Sequence, residues 1–146
     1  MLAESLLGSL YGKIKPKIHK RGKMLDLYHR LGCKAGITVA VSRLVDRLVA
    51  DDHISFFFQH IARDQARRDS FQNSLVLLIC EITGGPEHYE GPDIRAAHQG
   101  KRISNAHFEI VLGHIKAVLD QARLDERSKS EVLNLLDPMR TEIVES

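Results

Sequence analysis

The chain has no tryptophan, only two cysteines and only 5% aromatic residues. Two thiols, Cys33 and Cys80, are too few for the disulfide framework of a small secreted domain, and a single bridge cannot be inferred from their spacing. A reducing, cytoplasmic setting is the expectation. No apolar run approaches the roughly 20 residues that a bilayer span requires, so an integral membrane protein is not expected. A P-loop, a dinucleotide-binding glycine fingerprint, a His-Glu-x-x-His sequence and a Cys-x-x-Cys pair are all missing. Those absences exclude the commonest nucleotide, zinc-protease and thiol-redox signatures. Nor is there an Asn-Gly or Asp-Gly hairpin signal.

What is present is 146 residues, 43% hydrophobic and 27% charged, which suits one folded domain with a real core. The net charge of +2 hides an asymmetry. Residues 1–23 hold six bases (Lys13, Lys15, Lys17, Lys20, Arg21, Lys23) against one acid, Glu4, whereas the remainder is slightly acidic. A nucleic-acid-binding core would spread its bases over the fold, so nucleic acid is not an expected partner. The arm opens with Leu2, Leu6, Leu7, Leu10 and Ile14 at roughly helical spacing before turning basic near Pro16. A membrane-surface anchor, a targeting segment and a partner-binding helix are functional readings of it. The plain reading, a loosely docked pre-helix, is the one we prefer.

The body reads as helices. Ile37, Val41, Leu44, Val45 and Leu48 form a helical stripe between Lys34 and Ala50, longer than the strand-like alternation of Ile37, Val39 and Val41. Phe56, Phe57 and Phe58 follow, then a polar turn expected from Arg63 to Asp69. A second stripe runs through Phe71, Leu75, Leu78, Ile79 and Ile82 and stops at Gly84-Gly85-Pro86. A short helix is expected around Pro92 to His98. Ser104 reads as the N-cap of the clearest helix, which carries Phe108, Val111, Leu112, Ile115, Val118 and Leu119. A last stripe, Val132, Leu136, Met139 and Ile143, is expected to be divided by Pro138.

Eight histidines are the one unusual count, and none are spaced i, i+4 on a helix as a two-histidine zinc face would need. His98 differs in its setting. It ends a short helix behind Ala96 and Ala97, between two apolar helical faces. A neutral imidazole in an apolar slot is what haem iron takes as an axial donor, and a core histidine bonded to a backbone carbonyl is the ordinary alternative.

Several stretches resemble the truncated haemoglobins, most closely their first group, from about Met24 to Ile143. They are Leu27-Tyr28-His29-Arg30-Leu31-Gly32, Leu48-Val49-Ala50-Asp51-Asp52 with Phe57-Phe58, and Gly84-Gly85-Pro86-Glu87-His88-Tyr89-Glu90-Gly91. The most specific is Arg95-Ala96-Ala97-His98-Gln99-Gly100, then Ile103, His107-Phe108 and Gly113-His114-Ile115. The resemblance implies an all-α, truncated globin-like two-over-two helical sandwich at 24–146, with residues 1–23 as a basic amphipathic extension. It implies haem b held by His98, with Phe58 on the haem face, Arg95 near a propionate, and Phe108 and Val111 on the proximal side. Phe71, Gln72, Leu75, Tyr89, Ile94, Ala97, Lys101 and Ile103 fall on further cofactor-lining positions.

Departures from the family pattern bear on function. Val45 stands where the family usually carries a distal tyrosine, and Leu44 replaces an aromatic before it. The stretch from Phe58 to Gly84 is several residues longer than usual; the preferred alignment puts Arg68 at the gate, with Phe71 and Gln72 next. Gln72 is then the surviving distal donor. The first-turn glycine pair is reduced to Gly32-Cys33, and Arg102 replaces a second glycine after the proximal helix. A hydrogen bond to polarised bound oxygen is worth on the order of 1–3 kcal/mol, so its loss implies faster oxygen release and readier autoxidation. The implied ligands are oxygen, nitric oxide and carbon monoxide. Conversion of nitric oxide to nitrate would further require a reductase, which the sequence does not identify. A globin-fold gas or redox sensor docked through its basic arm is the alternative, and a monomer or weak dimer is expected.

Overall fold

The computed structural model describes residues 26–145, so the expectations for the arm at 1–23 lie outside the described residues. Within them the chain is helical and contains no strand. The α-helices are α1 (Leu27–Arg30), α2 (Cys33–Ala50), α3 (Gln59–Ala62), α4 (Gln65–Ile82), α5 (Ile94–His98), α6 (Asn105–Gln121), α7 (Glu126–Leu136) and α8 (Arg140–Ile143). Short 3₁₀ turns at Ser55–Phe58 and Asp137–Met139 precede α3 and α8. No described helix is long and apolar enough to cross a membrane.

The architecture is two helical layers. α2 packs on α4 and also crosses α6, while α6 packs on α7 and on α8. The α2 stripe Ile37, Val41 and Val45 is buried against Val76 and Cys80 of α4, with Tyr28 and Ile61 closing the cluster. A second cluster joins Leu27 to Leu119 of α6 and Val132 and Leu135 of α7. A third gathers Leu78, Ile82, Tyr89, Ile94 and Met139. Ile79 packs against both the first and the third, so α4 is the spine shared by the two ends of the core.

One element boundary differs from expectation. The supposed polar turn from Arg63 to Asp69 is helix from Gln65 onward, capped by the Asp64 carboxylate, which accepts from the Arg67 amide at 3.1 Å. Its first turns are exposed apart from a half-buried Arg68, so no apolar stripe marks them. Ser104 caps α6 as expected. Its hydroxyl accepts from the His107 amide at 3.1 Å, and the His107 ring accepts from the Ser104 amide at 3.1 Å. Pro138 likewise divides the last stripe, ending α7 in a 3₁₀ turn before α8.

The glycine pair after α4 has two separate reasons. Gly84 sits at φ +104°, a left-handed backbone that side chains disfavour. A Cβ on Gly85 would run into the Tyr28 ring. That ring is fixed: its hydroxyl donates to Glu87 Oε2 at 3.0 Å and accepts from the Lys34 amide at 3.2 Å.

Candidate haem site

Helix α5 carries His98 and is only five residues long, started by Asp93, whose carboxylate accepts from the Ala96 amide at 2.6 Å. Ile94 anchors it, 3% exposed in the cluster with Leu78, Ile82, Tyr89 and Met139. One turn on, His98 Nδ1 lies 2.7 Å from the Ile94 carbonyl oxygen. A carbonyl only accepts, so Nδ1 carries the proton and the Nε2 lone pair is left free to bond a metal. Burial, then the nearby Lys101 ammonium, holds the imidazole below its ordinary pKa, against the raising effect of the Ile94 bond. The ring is therefore kept in its neutral, donor-capable form.

The remaining expected residues fall into groups. Val45 is fully buried on α2, and Phe58, Phe71 and Leu75 are half-buried around the same cluster. The Phe58 and Phe71 rings lie 6.1 Å apart, tilted at 59°. Gln72 is half-buried on α4 beside them in sequence. Tyr89 is buried at the other end of α4, its hydroxyl donating to the Pro92 carbonyl at 2.6 Å. Ala97, Ile103 and Val111 are half-buried, and Lys101 is exposed. Phe108 is buried on α6 under the Arg140 guanidinium, 4.5 Å from the ring centroid.

Two cations have protein partners that local sequence does not announce. Arg68 pairs with Asp46 of α2, whose carboxylate is exposed. Arg95 is paired with Glu142 of α8 through two hydrogen bonds, 3.3 Å at Nε and 3.1 Å at Nη2. Local sequence does not point to Glu142, Asp46 or Arg140, because each meets a partner across 22 residues or more of chain. The same holds for a bridge from α2 to α6: Arg47 Nε donates to His114 Nδ1 at 3.0 Å, and His114 Nε2 meets Asp51 at 2.6 Å.

These residues fit a haem. The group asks for one neutral nitrogen donor and apolar walls, with cations near its acidic edge. His98 could supply the donor; Phe58, Phe71, Leu75, Ile103 and Val111, all half-buried, could supply apolar surface. Arg95 and Lys101 flank His98 with cationic ends exposed to solvent. Among the described residues no group of three or more His, Cys, Asp or Glu side chains could hold a bare metal ion.

The all-helical, two-layer fold is that of a two-over-two globin. Comparison agrees: residues 26–145 match the model of the bacterial-like globin family. The chain belongs to the bacterial-like globins. It is 27% identical over 124 residues to the group 1 truncated haemoglobin GlbN of Mycolicibacterium paratuberculosis, covering 85% of this chain and 88% of the relative. It is 24% identical over 118 residues to a group 1 truncated haemoglobin of Tetrahymena thermophila, covering 81% and 93%. In fold it is similar to the truncated haemoglobin of Tetrahymena pyriformis in the Fe(III) form, with a TM-score of 0.75, 22% identity, and coverage of 84% of this chain and 100% of that one. A 2/2 haemoglobin from Synechococcus, in the cyanomet state and with covalently attached haem, gives a TM-score of 0.72 at 21% identity, covering 82% and 98%.

Proposed function

We propose that the chain holds haem b through His98 and uses it to bind diatomic gases, oxygen and nitric oxide first among them. The observation that carries the reading is the half-buried His98 imidazole, whose Nδ1 is committed to Ile94 while Nε2 is free. Haem would supply an iron that His98 would hold and that can bind a gas molecule. The chain does the rest. Ile94 and the carbonyl bond orient the ring, and burial favours its neutral form. Phe58, Phe71 and Leu75 give the distal side apolar surface that limits water.

Val45 offers no donor to a bound gas, and the Arg68 guanidinium is engaged by Asp46. Gln72 is left as the distal group able to donate, so oxygen is held by a weaker polar contact than a phenol would give. With oxygen as the oxidant and an external reductant to restore the ferrous iron, conversion of nitric oxide to nitrate would be a further activity.

The test is simple. The purified chain, incubated with hemin, is expected to give a Soret band, and His98→Ala is expected to abolish it while leaving the helical circular-dichroism signal intact. A folded, colourless wild-type chain that takes up no hemin would sink the proposal.

A further inference from the structure

The helix that carries His98 is too short to orient itself. Isolated helices under roughly 12–15 residues are marginal in water, so what α5 rests on must set its angle. Three contacts do so, and all three come from residues 139–145. Ile94 is buried against Met139, with Ile143 of α8 packed on the same cluster. Arg95 is gripped at two nitrogens by Glu142, whose side chain is only 13% exposed against 62% for Arg95. Beyond the helix, the Glu145 amide donates to the Ile103 carbonyl at 2.9 Å, and its carboxylate accepts from the Arg102 amide at 3.3 Å. The stretch 142–145 therefore brackets both ends of the segment 95–103.

Arg95 and His98 are three residues apart, neighbours on one side of the helix. A pull on the Arg95 guanidinium turns α5 about its own axis and with it the imidazole. We infer that Glu142 is a positioning residue for His98: by clamping Arg95 it sets the rotation of α5 and so the direction in which Nε2 presents its lone pair. The inference rests on the haem-binding reading for its consequence at the iron, and on the protein alone for the clamp.

Glu142→Gln keeps the size and removes the charge; Glu142→Asp keeps the charge and serves as the conservative rescue. Glu126→Gln, an exposed acid on α7, controls for loss of one negative charge. In the haem-free protein, hydrogen exchange at the Ala97 and Gln99 amides, bonded to the Asp93 and Arg95 carbonyls, should quicken about fivefold in Glu142→Gln. The Val118 and Leu119 amides should not change.

In the hemin-loaded, reduced protein the iron–histidine stretching band in resonance Raman should shift or broaden. Hemin transfer to apomyoglobin should quicken several-fold, with Glu142→Asp closer to wild type on both counts. Unchanged exchange in Glu142→Gln, or the same change in Glu126→Gln, overturns the clamp. Changed exchange with an unchanged Raman band overturns the positioning role. If the wild-type chain takes up no hemin, the haem-binding reading fails separately, and exchange alone decides whether Glu142 holds α5.

Discussion

Cys33 and Arg102 adopt φ of +60° and +57°, a left-handed backbone in which a Cβ is strained. At both positions the resemblance read in the sequence implies glycine, and the residue found there holds a backbone that glycine would adopt without strain. At Arg102 the side chain is exposed and the useful contact, its amide to Glu145, belongs to the main chain. Arg102→Gly should therefore stabilise the protein by about 0.5–1 kcal/mol, strain relief outweighing the added freedom of the unfolded chain. Thermal unfolding should move up by roughly 2–5 °C. Val45 makes the complementary point, because it is fully buried and polar-free. Val45→Tyr in the hemin-loaded protein should slow oxygen release roughly tenfold by adding a donor, as read by stopped-flow mixing. It should also lower stability by about 1–3 kcal/mol through overpacking. Val45 could be placed on α2 because it belongs to the stripe Ile37, Val41, Leu44, Val45 and Leu48. The partner of Arg95 could not, since Glu142 lies 47 residues away and no periodicity links them.

Among elements, α2 and α6 could be read from the sequence because each shows one apolar stripe, and α6 also because Ser104 announces its start. Ser104→Ala removes the oxygen that accepts from the His107 amide. The loss should be about 1 kcal/mol, seen as a fall of about 3–5 °C in the thermal midpoint with no change in hemin uptake. The first turns of α4 are the opposite case. Gln65, Ala66, Arg67, Asp69 and Ser70 are exposed, so hydrophobic periodicity has nothing to register there. The Asp64 cap was the available signal, and a polar run overshadowed it. Helix α5 was foreseen near His98, but its dependence on α8 is tertiary and leaves no local trace.

Across the whole molecule, a few polar bridges fasten the layers and make stability depend on pH. Asp51 joins the end of α2 to α6. Its carboxyl is held below the usual range first by the His53 amide and then by the His114 ring. The Asp125 cap of α7 is lowered too, first by the Ser128 hydroxyl and then by its amide. A carboxyl with a depressed folded pKa stabilises the native state above its unfolded value near 4. That contribution is lost as pH falls through the folded value. Asp51→Asn should therefore be less stable than wild type at pH 7, and the gap should close as pH drops from about 5 to 3. Urea midpoints measured across that range check it; a gap that widens on acidification would show that Asp51 is not the group responsible.

The buried thiol at the centre of the α2–α4 contact gives the protein an internal clock. Cys80 has no solvent exposure, and burial, with the Glu87 carboxylate beside it, pushes its pKa to about 12. A thiol that is both hidden and protonated cannot react with an alkylating reagent until the two helices part. Cys33, half-exposed at the start of α2, reacts without that opening. The native chain should therefore consume one equivalent of reagent promptly and the second only at the rate at which its core breathes. The slow phase times the separation of the distal helices directly, with no label added to the protein.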